Sequence, residues 1–180
     1  MDLIIWPSRS IDLLAVSPVL AEDPVTGFLN NFTVNIRKVG ITRPTFLQEF
    51  AWEIIEARIR PQIHIVLLDN NEISKNNQSE LFKVCACAID FVSTHPMKFV
   101  IFYDLVNFNS GSTMDSAMQL SYKLRLQTEN LSSFARLHVH LGEPLHPDSS
   151  PSGALNQEGL AKLARSLILV TNQILQRLND

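Results

Sequence analysis

The chain has 180 residues, 46% of them apolar and 18% charged, enough to bury a substantial core within one domain spanning 1–180. Eighteen acidic against fifteen basic residues give a formal charge of -3, which argues against the concentrated positive field of a general nucleic-acid binder. No apolar run reaches the ~20 residues of a membrane span, and the opening MDLIIWPSRS lacks the basic flank and long apolar core of a secretory signal.

Asp2–Trp6, DLIIW, is a short apolar run stopped by Pro7 and predicts a first buried strand followed by the polar turn PSRS. Ile11–Leu20 predicts a short helix broken at Pro18, and Glu22–Gly27 a surface connection. Over 32–37, Phe32, Val34 and Ile36 alternate with polar residues, the pattern of a half-buried strand ending near Gly40. A helix begins at Thr45, with Gln48 three residues on as in a capping box. Its apolar stripe is Phe46, Leu47, Phe50, Ala51, Ile54, Ile55 and Ile59.

Gln62–Ile73, QIHIVLLDNNEI, carries the clearest signal in the chain. Ile63, Ile65, Val66, Leu67 and Leu68 read as a strand buried on both faces. Asp69, Asn70, Asn71 and Glu72 then stand at its C-terminal end, where open α/β sheets carry ligands. Asn76 or Asn77 caps a helix that faces inward through Leu81, Phe82, Cys85, Ala88, Ile89 and Val92. Cys85 and Cys87 lie two apart on that helix, where side chains diverge, so small buried thiols are expected rather than a disulfide. The expected setting is the cytoplasm or another reducing intracellular compartment.

Met97–Tyr103 predicts another buried strand, with Asp104 where its apolar run changes character. The span 114–128 predicts a helix facing inward through Met114, Ala117, Met118, Ser121 and Leu124. Ala135–Leu141 reads as the last strand, and 142–153 as a connection rich in Pro and Ser. Asn156 caps a terminal helix with Leu160, Leu163, Ala164, Leu167, Val170, Ile174 and Leu178 as its stripe. Strands alternating with crossover helices give an α/β fold: a three-layer α/β/α sandwich around a mainly parallel sheet of about five strands, in the flavodoxin-like manner.

Several constellations carry chemistry. His138 and His140 share a strand face and, with His64 or an acidic residue, could bind zinc, but no spaced third ligand stands out. The plainer reading is surface or core histidines with local hydrogen bonds. Asp69, Glu72 and Asp104 follow strands that could be neighbours, so their carboxylates could converge on a divalent ion or raise one pKa; capping and solvation are the simpler roles. NFNSGST at 107–113 lacks the lysine and repeated glycines of a phosphate cradle, and no GxGxxG or GxxxxGK[ST] occurs, so no nucleotide cofactor or metal is expected. Trp6, Trp52, Phe50 and Phe102 read as core rather than as a base-stacking platform.

Taken together, the strand ends and the terminal helix resemble the SGNH/GDSL hydrolase superfamily in divergent form, in order and over essentially the whole chain. WPSRS meets the Gly-Asp-Ser element, with Ser8 or Ser10 in the nucleophile turn but no adjacent Gly-Asp; Gly40 in KVGITRPT matches the second-element glycine. Asp69-Asn70-Asn71-Glu72 meets Gly-Thr-Asn-Asp, with Asn71 at the oxyanion asparagine and Asp69 in place of glycine. Against Asp-x-x-His-Leu-Asn-x-x-Gly the chain has PSGALNQEG: Leu155, Asn156 and Gly159 match, while Pro151 and Ala154 stand in the acid and base positions.

The resemblance therefore implies a domain that has lost hydrolase chemistry and serves binding or assembly, through a protein partner or self-association. The alternative is a divergent serine ester or acyl hydrolase acting on a small acyl ester. It would use Ser8 or Ser10 as nucleophile and Asn71 as oxyanion donor. Its base would be a relocated His146, or His140, with Asp148 or Glu143 orienting it, because an unactivated serine is a weak nucleophile near neutral pH.

Overall fold

In the computed structural model the described residues are 2–8, 33–69, 72–105, 111–129 and 137–141, with positions 169 and 176 alone beyond them. The elements run β1 Asp2–Trp6, β2 Thr33–Ile36, α1 Phe46–Glu56, β3 Gln62–Asp69, α2 Gln78–Thr94, β4 Lys98–Leu105, α3 Gly111–Glu129 and β5 Leu137–Leu141. The expected helix at 11–20, the surface connection at 22–27, the connection at 142–153 and the terminal helix lie outside the described residues.

The strands lie in the order β2-β1-β3-β4-β5, and every neighbouring pair is parallel. The α/β reading with a mainly parallel sheet is borne out. Parallel strands need crossovers, and each described helix supplies one. β3 is buried from Gln62 to Leu68, as a strand without a polar face must be. On one face Ile4, Trp6, Val66, Leu68, Val100 and Phe102 pack against Phe46, Phe50 and Ile54 of α1, Leu81, Cys85, Ala88, Ile89 and Val92 of α2, and Leu120 and Leu124 of α3. On the other face Leu3, Ile5, Ile65, Leu67 and Ile101 are equally buried. Among the described residues no helix is long and apolar enough to cross a membrane.

The structure corrects the sequence reading at several elements. Thr45 occupies the N-cap position of α1 without a side-chain capping bond. Ile55 and Trp52 point away from the sheet, at 45% and 60% exposure, and Ile59 lies beyond the helix. Helical geometry explains this: at 100° per residue, Trp52 and Ile55 fall opposite Phe46, Phe50 and Ile54. On α3 the inward stripe is Ser116, Leu120, Ser121 and Leu124, whereas Met118 is exposed. Cys85 is buried but Cys87 is exposed, and both are free. Met97 has φ 64, a left-handed turn conformation, so β4 starts one residue later than its apolar run suggests.

Candidate functional site

In a sheet of order 2-1-3-4-5 the direction of winding reverses between β1 and β3, and ligands of such sheets sit outside the carboxyl ends of the strands at that crevice. β1 delivers Pro7 and Ser8 there, and β3 delivers Asp69 and, beyond it, Glu72. The chain leaving β2 closes over the same point: a Cβ added to Gly40 would overlap the carbonyl oxygen of Pro7 and stand 4.0 Å from Cα of Ser8. Only a glycine allows that approach. Ser8 is 6% exposed, and its Oγ has no hydrogen-bond partner among the described residues.

The neighbouring loop is tied together around Glu72. Thr42 Oγ1 donates to Glu72 Oε2 at 3.3 Å, linking the segment after Gly40 to the segment after β3. Asn77 donates through Nδ2 to the Glu72 carbonyl at 2.6 Å and accepts from the Ser74 N–H at 2.7 Å. Asn77 thus holds the loop before α2 without making a side-chain cap on the helix it precedes. Beside this loop a cavity of about 460 Å³ is lined by Thr42, Arg43, Leu47, Asn77, Glu80 and Leu81.

The register sets Asp104 beside Leu68, and Asp69 beside Leu105, so the two aspartates hold out-of-phase positions on adjacent strands. For the zinc alternative, the register bears on His64 as third member. His138 and His140 pair in register with Ile101 and Tyr103, whereas His64 stands beside Val100, on the alternate phase. No group of three metal-ligating side chains occurs among the described residues. Ser10, Asn70, Asn71, Glu143, His146 and Asp148 lie outside the described residues.

The periodicity gave no sign of a buried polar string below the crevice. Trp6 Nε1–H donates to His64 Nδ1 at 3.1 Å. An indole nitrogen can only donate, so His64 carries its proton on Nε2, which then donates to Gln62 Oε1 at 3.1 Å. Lys98 Nζ donates to the same Oε1 at 3.0 Å, to the Arg60 carbonyl at 2.8 Å and to the Ala57 carbonyl. Burial, reinforced by the positive charges of Lys98 and Arg37, pulls the His64 pKa down to about 3. Burial likewise lowers the Lys98 pKa, against the pull of Asp2, and raises that of the Cys85 thiol. His64 is therefore a neutral structural acceptor with both ring nitrogens engaged. The signal for it was available: a histidine and a glutamine inside an apolar run must bring partners with them.

No protein-family model matches the chain, and no curated protein matches it.

Proposed function

We propose that this chain is a divergent, SGNH-like α/β/α domain that has lost hydrolase chemistry and serves binding or assembly. The strand order 2-1-3-4-5 is that of flavodoxin-like doubly wound sheets and supports the fold half of the reading. The observation that carries the functional half is Ser8: its hydroxyl is buried at the end of β1, and no base stands beside it among the described residues. His64, the buried histidine of the adjacent strand, pairs with Ile4, four residues back from Ser8 and so roughly 13 Å away along the strand direction. Its lone pair is already taken by Trp6. A serine without a proton acceptor lacks the step that an acyl transfer needs first.

A second reading, the serine ester or acyl hydrolase, is favoured by the same hydroxyl, since the Ser8 Oγ has no hydrogen-bond partner among the described residues and sits at the strand end that Gly40 approaches. One experiment separates them. The chain and its Ser8→Ala and Ser10→Ala variants are incubated with a fluorophosphonate and, separately, with p-nitrophenyl acetate, and followed by intact mass and by absorbance. The binding reading expects no adduct and equal background turnover in all three. An adduct that disappears with either serine overturns it in favour of the hydrolase.

A further inference from the structure

Two helices of the described layer carry apolar stripes on the side turned away from the sheet. On α1 these are Trp52 and Ile55, 60% and 45% exposed, continued by Ile59 in the turn that follows. On α3 they are Met118, Tyr122 and Leu126, spaced i, i+4, i+8 and between 45% and 64% exposed. In each case the stripe lies opposite the buried one, so neither belongs to the core of its own chain. Scattered exposed apolar residues are ordinary, but aligned stripes centred on Trp and Tyr have the composition of interface anchors.

The charges beside the stripes are of opposite sign. Glu49 and Glu56 flank Trp52 on α1, with Glu53 held by Arg37 at 3.2 Å, whereas Lys123 and Arg125 flank Tyr122 on α3. α2 packs against both helices and so lies between them. All three run antiparallel to the parallel strands they connect, and are therefore parallel to one another. A two-fold axis along α2 then lays α1 of one copy on α3 of a second and, in the same operation, α3 on α1. That contact uses each stripe once, matches acidic flank to basic flank twice, and closes as a dimer rather than growing into a fibre.

We propose that the outward face of α1 and α3 is the interface of a symmetric dimer of this chain, α1 of each copy against α3 of the other. It deepens, and rests on, the assembly half of the reading above. α2 forms the polar seam along the axis, bringing Cys87, which is exposed, near its counterpart.

Sedimentation equilibrium from roughly 1 to 200 µM tests the pairing. The wild-type chain is expected to dimerise, with Trp52→Ala and Tyr122→Ala each weakening association about tenfold or more. Glu56→Lys and Arg125→Glu are each expected to dimerise poorly alone, while an equimolar mixture of the two recovers a heterodimer. A short bis-maleimide is expected to join wild-type copies through Cys87 but not Trp52→Ala copies. A chain that stays monomeric across the range, a dimer indifferent to Trp52 and Tyr122, or a dimer in which Cys87 cannot be cross-linked overturns the proposal. A monomer that also takes no fluorophosphonate removes this interface while leaving the loss of hydrolase chemistry standing.

Discussion

The contact between Gly40 and Pro7 is the tightest constraint at the crevice, and its consequence is local. A methyl group at Gly40 meets a backbone carbonyl, which cannot rotate aside as a side chain would. Relief requires the segment after β2 to lift from the end of β1. Gly40→Ala is expected to cost about 2 kcal/mol, within the usual range for overpacking a closed site. A urea midpoint lowered with an unchanged slope would show this, and an unchanged midpoint would mean the two segments are not pressed together. Ser8→Ala at the neighbouring position is expected to be neutral or slightly stabilising, since it removes a buried hydroxyl that has no partner among the described residues. The pair of results distinguishes a steric requirement at Gly40 from a polar requirement at Ser8.

At the scale of elements, Lys98 does for α1 what capping residues usually do. The carbonyls that end a helix have no intrahelical donors, and Lys98 reaches from the first position of β4 to that of Ala57, the C-cap of α1, and to that of Arg60 in the turn beyond, while also holding Gln62 at the start of β3. Lys98→Met keeps the length of the side chain and removes the donors, taking from the Arg60 carbonyl its ammonium partner and from the Ala57 carbonyl and Gln62 Oε1 one of two donors each. It is expected to cost about 2 to 4 kcal/mol and to be seen as a lowered midpoint in denaturant. Hydrogen exchange at the last turn of α1, rather than at α2, is expected to accelerate most. This role was not legible in the sequence: a lysine flanking an apolar run reads as a strand boundary, and nothing in the spacing says which carbonyls surround it. Strands β1, β3 and β4 were legible, because runs such as IHIVLL and FVIFY have no solvated face and only the centre of a parallel sheet can take them. The inward face of α3 was not, because Ser116 and Ser121 are buried there as small residues while the larger Met118 faces out. The position of Ser8 and Gly40 at one crevice was suggested by their place after the first and second strands. The phase of Asp69 against Asp104 depended on register, which neither apolar run specifies.

For the molecule as a whole, the polar string beneath the crevice makes stability depend on pH. His64 lies on the strand at the middle of the sheet order, 0% exposed, stacked on Trp6 and 4.9 Å from the Phe50 ring. A second proton would have to enter at Nδ1, between the ring and the indole N–H, breaking that hydrogen bond and leaving a cation in an apolar layer already carrying Lys98. The folded-state pKa of about 3 therefore lies below the ordinary histidine value of 6.5. Between those two values the unfolded chain binds a proton that the folded chain refuses, so stability rises with pH. The contribution of His64 is full above 6.5 and is lost as pH falls toward 3, at up to about 1.4 kcal/mol per pH unit. Carboxylates join below about pH 5, so the informative window is the upper part. Urea midpoints between pH 7.5 and 5.5 are expected to fall in the wild-type chain. In His64→Asn, which keeps an acceptor toward Trp6 but does not titrate, stability is expected to start lower and stay flat across that window. Equal slopes in the two proteins would show that the histidine is protonated without opening the sheet, and that the string from Trp6 to Lys98 does not bind the layers together as its geometry implies.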